Sequence, residues 1–169
     1  MTYLRAIEPE DLDLMYVVEN DPQVQCYSST TVPLSRYALR QYISESRGDL
    51  YADAQVRMAI MDPDTGEACG FLDITDFVPQ HHRAQIGIAL LPDAQGRGIA
   101  TGALNEAAVY AYGKDLHQLY AVVSSENRRG RMLFLRSGYN EISVLPHWLQ
   151  QNGRFVDAVL YQKILKTNN

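Results

Sequence analysis

With only two cysteines, Cys26 and Cys69, the 169-residue chain cannot be held by a disulfide framework, and a reducing compartment, the cytoplasm, is the expected setting. Long apolar runs are also missing. Stretches such as Ile88-Ala89-Leu90-Leu91 fall far short of the ~18 residues a membrane-spanning helix needs. A basic excess is absent too: 15 Lys and Arg stand against 20 Asp and Glu, a net charge of −5. That balance argues against binding along a nucleic-acid backbone. Acidic residues arrive early, at Glu8, Glu10 and Asp11, which is unlike a signal peptide. No repeat, low-complexity tract or Gly/Ser/Pro linker divides the chain, so one domain over residues 1–169 is expected. What is present is ordinary globular chemistry, 46% apolar and 21% charged.

The pattern of apolar residues alternates strands with helices. A short strand is expected over residues 3–7, then a helix over 9–19 that Pro9 opens and Asn20-Asp21-Pro22 stops. A second helix is expected over 34–47, with Leu34, Ala38, Tyr42 and Ile43 on one face. Strands at 56–61 and 68–77 flank the turn signal Asp62-Pro63-Asp64-Thr65-Gly66. A strand at 85–91, a helix at 97–112, a buried strand at 119–123 and a helix at 127–136 stopped by Gly138 follow. The chain closes as a hairpin: strand 141–145, a loop through Asn152-Gly153, then strand 155–165. Hairpins first and β-α-β later make the fold class α+β, or α/β with an antiparallel part: a mixed sheet covered by helices.

Chemistry concentrates in the segment Gln85 to Gly102, which reads strand, glycine-rich loop, helix. Gly96 and Gly98 leave the loop bare of side chains, so successive backbone N–H groups can converge on one anion. The free N–H groups and positive end of the new helix complete a phosphate site, and Arg97 is a further positive charge. Gly96-x-Gly98-x-x-x-Gly102 imitates a dinucleotide fingerprint. It lies past mid-chain, however, and Asp115 is a poor match for the ribose-binding acid, so an NADP-binding protein is the weaker alternative. A Walker loop is excluded because no Gly-Lys-Ser/Thr follows.

Gln95-x-x-Gly98-x-Ala100 resembles the pyrophosphate-binding motif of the GNAT N-acetyltransferases. Asn127-x6-Phe134-x3-Gly138-Tyr139 resembles the second motif of that family, and Asn152-Gly153-Arg154-Phe155-x-Asp157-x-x-x-Tyr161 its closing hairpin in the spermidine and ribosomal-protein branches. Leu4-Arg5-x-x-x-x-Glu10-Asp11-Leu12 is similar to the usual opening. The resemblance covers nearly the whole chain and is greatest for the spermidine/diamine branch. It implies a twisted mixed sheet of about seven strands and a V-shaped cleft where strands 85–91 and 119–123 splay. It further implies acetyl-CoA as co-substrate, with Ile88, Ala89 and Leu90 along the pantetheine. Gln95, Gly96, Arg97, Gly98, Ile99 and Ala100 would surround the pyrophosphate, and Asn127 the pantetheine arm. Homo-oligomers are common among such relatives, and no metal is implied.

Two positions depart from the family pattern. Phe134 stands where many relatives carry a tyrosine that protonates the leaving thiolate, and Gln85 stands where many carry a glutamate. General acid–base help is typically worth ~10²–10⁴-fold, so its loss slows transfer without forbidding it. A CoA- or acyl-CoA-binding sensor with degenerate chemistry is therefore an alternative. Ser137 and Tyr139 are the hydroxyls that could replace the missing acid. Asp73 is a candidate for orienting the amine, against the reading of a solvated residue on the outer sheet face. Tyr27 is a candidate on the acceptor loop, where Thr30 and Thr31 stand in place of adjacent glutamates of the spermidine enzymes. The acceptor is expected to be an amine: a small diamine or polyamine, an amino sugar or a protein N-terminus. Arg128, Arg129 and Arg131 are candidates for the CoA 3′-phosphate. His81-His82 lacks a third ligand, Cys69 reads as a buried apolar residue, and Trp148 with Tyr161 as packing or a subunit contact.

Overall fold

The computed structural model describes residues 3–25 and 32–165, with only the backbone of Gln25. Its strands are β1 (Leu4–Ala6), β2 (Val56–Met61), β3 (Ala68–Val78), β4 (Arg83–Leu90), β5 (Gln118–Ser124), β6 (Asn140–Gln151) and β7 (Arg154–Ile164). Its helices are α1 (Leu12–Glu19), α2 (Pro22–Gln25), α3 (Arg36–Glu45), α4 (Leu50–Asp53), α5 (Ile99–Gly113) and α6 (Arg128–Arg136). The strands form one sheet in the order β1-β2-β3-β4-β5-β7-β6. Only β4 and β5 run parallel, joined by the crossover through α5.

Side chains alternate across the sheet, which divides the core in two. On one face Leu72, Ile74, Ile86, Leu119 and Val159 pack against Leu104, Ala107 and Ala111 of α5 and Phe134 of α6. On the other, Ala59 and Phe71 meet Met15 and Val18 of α1 and Leu39 of α3. The alanines of α5 allow the helix to lie close on the sheet. Gly102 serves the same closeness, because a Cβ there would fall 2.6 Å from the Tyr3 ring. The third glycine of the dinucleotide-like spacing therefore has a packing explanation.

The opening motif also has a physical reason. Pro9–Asp11 forms a single 3-10 turn that leads into α1. The buried Asp11 carboxylate accepts the Glu8 backbone N–H at 2.8 Å and the Arg5 guanidinium at 2.7 and 2.8 Å. Burial alone would raise the Asp11 pKa, but these donors outweigh it and hold the carboxyl below its ordinary value.

Several boundaries differ from the sequence expectation. α3 is shorter than 34–47 because Ser35 caps it, its hydroxyl accepting the Ala38 N–H at 3.1 Å. The short helices α2 and α4 escape periodicity, although Asp49 caps α4 by accepting the N–H groups of Tyr51 and Ala52. The largest correction is β6, which runs to Gln151 where a loop was expected after Leu145. Residues 146–148 bulge out opposite Asp157, with His147 left-handed at φ 52° and its N–H bonded to the Asp157 carboxylate at 2.9 Å. Pairing then resumes at Leu149 with Val156, and Asn152-Gly153 makes the turn with both φ positive, at 51° and 76°. Trp148 and Tyr161 do not form a pair of like environments, for Tyr161 is fully buried and Trp148 is 60% exposed on the bulge.

Candidate active site

Beyond Gln85 the two parallel strands part. β4 and β5 pair at Arg83 with Gln118, Ala84 with Leu119 and Gln85 with Tyr120, and no further. Yet β4 stays paired to β3 as far as Leu90, and β5 to β7 as far as Ser124. The sheet is thus split along one line, and residues 86–90 present a backbone edge to the gap. Gln85 lies in the last paired row, at the apex of the V.

At the wide end, Pro92–Ala94 makes a single 3-10 turn and the glycine loop follows. Gly96 and Gly98 have φ of 76° and 80°, a region that costs other residues ~1–2 kcal/mol. A Cβ on either would meet nothing within 4 Å among the described residues, so these leave open space over the loop. The first backbone bond of α5 runs from the Gly102 N–H to the Gly98 carbonyl at 3.1 Å. The N–H groups of residues 96–101 have no partner among the described residues. A row of unpaired donors at the start of a 15-residue helix suits an anion.

The side chains of the loop turn to other tasks. Gln95 donates its Nε2 to the Leu90 carbonyl at 3.1 Å and accepts Arg129 Nη1 at 3.2 Å. It therefore ties the end of β4 to α6, and the Leu90 carbonyl is already engaged. The Arg97 guanidinium points away from the loop. It binds Asp62 at 2.6 and 3.0 Å and Asp64 at 2.5 Å, in the turn between β2 and β3. Those two carboxylates raise the Arg97 pKa, and Arg97 in turn lowers that of Asp62. The expectation of Arg97 as a further charge on a polyphosphate is thus corrected, since its charge is spent on the β2–β3 turn. Of the other arginines, Arg129 leans to the loop. Arg131 turns the opposite way, to the Tyr161 hydroxyl at 3.2 Å and Glu141 at 3.5 Å.

Across the gap, Asn127 caps α6, its Oδ1 accepting the Gly130 N–H at 2.9 Å. Gly130 makes this possible, as a Cβ would come within 2.6 Å of Asn127 Nδ2. The amide is thereby held at the mouth of β5 with its Nδ2 unused among the described residues.

The candidate acids are sealed. Phe134 is 4% exposed, edge-on to Tyr139 at 5.0 Å between ring centres and stacked on Tyr161 at 6.1 Å. The Ser137 and Tyr139 hydroxyls are buried without hydrogen-bond partners among the described residues, and burial pushes the Tyr139 phenol well above its ordinary pKa. A phenol so raised is a poor proton donor near neutrality.

Asp73 is half-buried and not on an outer face. It lies beneath α1 and α3, gripped by Arg57 at 2.6 and 2.8 Å, while Arg57 also reaches Glu19 at 2.6 Å. Sequence reasoning missed Arg57 and Glu19. An arginine in the middle of an otherwise apolar strand, Val56 to Met61, was the available signal. Tyr27, Thr30, Thr31 and Cys26 lie outside the described residues. His82 Nδ1 lies 2.8 Å from the Asp115 carbonyl, and no cluster of three or more potential metal ligands occurs among the described residues. Cys69 is buried, as expected. No described helix is long and apolar enough to cross a membrane.

Known proteins share this fold. A family model for an acetyltransferase (GNAT) domain matches residues 2–140. The chain is 27% identical over 157 residues to the spermidine N(1)-acetyltransferase of Escherichia coli (strain K12), covering 92% of this chain and 82% of that one. A crystal structure of spermidine N-acetyltransferase from Vibrio cholerae in complex with CoA and spermine superposes with a TM-score of 0.84 at 23% identity, over 96% and 94% of the two chains. A dodecameric structure of the Vibrio cholerae enzyme superposes with a TM-score of 0.79 at 23% identity, over 96% and 92%. The dinucleotide-binding alternative finds no support in these matches. With its sheet split beside a bare glycine loop and a family match over most of its length, the chain belongs to the GNAT family of acyl-CoA N-acetyltransferases.

Proposed function

We propose that this enzyme transfers the acetyl group of acetyl-CoA to a primary amine by direct attack within a ternary complex. The observation that carries the reading is the row of unpaired N–H groups at residues 96–101 beside the open edge of β4. The pyrophosphate seats on those amides. The pantetheine extends along residues 86–90, where Ile88 and the Leu90 N–H offer backbone groups while those of Ala89 are turned to β3, and Asn127 Nδ2 reaches it from β5. This places the thioester toward the apex, near Gln85. The amine nitrogen forms a bond to the carbonyl carbon, the C–S bond breaks and the CoA thiolate departs. The proton that nitrogen sheds goes to water or to the thiolate, because Phe134 has none to give and Gln85 cannot take one. Holding both reactants in one cleft supplies the main acceleration, as it turns a bimolecular encounter into a positioned one.

Calorimetric titration with acetyl-CoA, run beside NADPH, tests the first half. Saturable binding of acetyl-CoA alone is expected, and no binding would reduce residues 95–100 to a turn. Release of CoA thiol on adding amines tests the second half and separates an enzyme from a sensor. The reading includes assembly of identical copies, supported by the edge strand β6, where Ile142, Val144 and Trp148 are 52%, 50% and 60% exposed. Light scattering showing only monomer at micromolar concentration would remove that part.

A further inference from the structure

The face of the sheet that carries Asp73 has an opening beside the split. Asp73 pairs in register with Gly87 of β4, and a Cβ on Gly87 would meet nothing within 4 Å among the described residues. Gly87 follows the apex residue Gln85 on the same face, two positions along, where β5 has just departed. Directly opposed residues on neighbouring antiparallel strands lie ~4.5–5.5 Å apart, so the Asp73 carboxylate borders this space from β3. The opening lies where an amine must stand to reach a thioester held along β4.

Arg57 decides what charge that amine meets. Its Nε and Nη2 bind both oxygens of Asp73, and its Nη1 binds Glu19. The three side chains are 16%, 28% and 12% exposed, for Arg57, Asp73 and Glu19 in turn, so solvent screens them little. Burial alone would lower the Arg57 pKa, but Asp73 and Glu19 more than reverse this, and the guanidinium stays charged. One cation is set against two carboxylates. An incoming ammonium therefore meets a net single negative charge and finds the geometry of Asp73 already saturated.

We propose that Arg57 sets the acceptor class of this site, favouring an amine that carries one positive charge on an otherwise uncharged body and disfavouring a polycation. This rests on the transferase reading above. A linear polyamine needs several uncommitted carboxylates along its length. Here Arg57 commits Asp73, which borders the opening, together with its neighbour Glu19.

Spermidine is the probe. Its affinity for the CoA-saturated protein is measured by calorimetry, and its kcat/KM by thiol release, in wild type, Arg57→Met and Arg57→Lys. Removing the cation is expected to improve spermidine affinity and kcat/KM by at least about tenfold, whereas Arg57→Lys brings no gain. The gain in Arg57→Met should shrink as salt rises, a response that a merely structural role of Arg57 would not produce. Where Arg57→Met does not fold, Arg57→Gln makes the same change of charge and keeps a donor for Asp73. Wild type that already handles spermidine as well as the charge-removed variant overturns the proposal, as does an equal gain in Arg57→Lys. Acetyl-CoA titration of the same proteins keeps the two readings apart. Loss of acetyl-CoA binding in wild type defeats the transferase reading, whereas intact binding with unmoved spermidine affinity defeats only the role of Arg57.

Discussion

Replacing Gly98 by alanine separates a turn from an anion seat. The residue has φ 80° and ψ −3° at the N-cap of α5. An alanine held there costs ~1–2 kcal/mol in backbone energy. Nothing lies within 4 Å of the added methyl, so steric cost in the free protein is absent. At the ~2–4 °C per kcal/mol typical of domains of this length, Tm should fall by about 2–8 °C. Gly153 supplies the control. It too has a positive φ, 76°, and open space around a built Cβ, but it lies in the turn between β6 and β7. Gly153→Ala should therefore cost the same stability.

The two variants must differ toward acetyl-CoA. In Gly98→Ala the methyl projects into the space over the unpaired amides, where a pyrophosphate would sit. Displacing the anion by even a fraction of an ångström lengthens several charge-assisted hydrogen bonds at once. A loss of at least about tenfold in affinity, ~1.4 kcal/mol, is expected, while Gly153→Ala binds as wild type does. Thermal melts with and without acetyl-CoA, together with calorimetry, read both effects from one preparation. If Gly98→Ala melts like Gly153→Ala and binds acetyl-CoA within twofold of wild type, the loop is only a turn and the cofactor placement is refuted.

Phe134→Tyr should leave kcat with a good amine acceptor and acetyl-CoA affinity unchanged, because its hydroxyl would be enclosed with Tyr139 and Tyr161; a rise of ~10²-fold in thiol-release assays, the lower end of general acid catalysis, would show that this position reaches the departing sulfur. Asn127→Ser should keep the cap on α6, with Tm near that of wild type, but lose acetyl-CoA affinity because the Nδ2 donor is gone; equal affinity by calorimetry would confine Asn127 to capping. Asp11→Asn should cost ~2 kcal/mol by weakening its charged hydrogen bonds to Arg5 and the Glu8 N–H, about 4–8 °C in Tm. Because the folded pKa of Asp11 is depressed, its contribution is complete above the unfolded value of ~4 and fades as pH falls through the folded value. The gap in Tm between wild type and variant should hence be flat above pH ~5 and close below pH ~4; a gap that widens in acid would contradict the burial and pairing assigned to Asp11.

Local signals carried the frame. β2 was legible residue for residue, since an apolar run ends at the Asp62–Gly66 turn, and α5 was legible because its alanines recur at helical spacing. The glycine loop was legible as a bare turn opening a helix, because positive φ at Gly96 and Gly98 is what glycine at those positions allows. Partners distant in sequence were not legible. Arg97 looked free until the β2–β3 hairpin brought Asp62 and Asp64 to it, and Asp73 looked solvated until strand register set it beside Arg57. β6 was cut short because Pro146 and His147 read as a loop; the carboxylate of Asp157 that bridges the bulge belongs to another strand.

These differences divide the site into two kinds of chemistry. In the transferase reading proposed above, binding the co-substrate depends on N–H and C=O groups and on two glycines, with Gln95 and Asn127 as braces. Handling of protons and choice of acceptor depend on side chains, and every departure from the family pattern falls there: Phe134, Gln85 and the Thr30-Thr31 pair. Losing the acid is tolerable because a thiolate leaves without help far more readily than an amide nitrogen would. Losing the base moves the burden to the acceptor, which must arrive as the free amine. A site built this way gains most from an environment that does not hold the ammonium form too firmly. Cancelling half of the negative charge around the opening does that. The Arg57 cluster and the missing glutamate at Gln85 thus act in one direction: both lower the penalty for deprotonating the amine where it must attack.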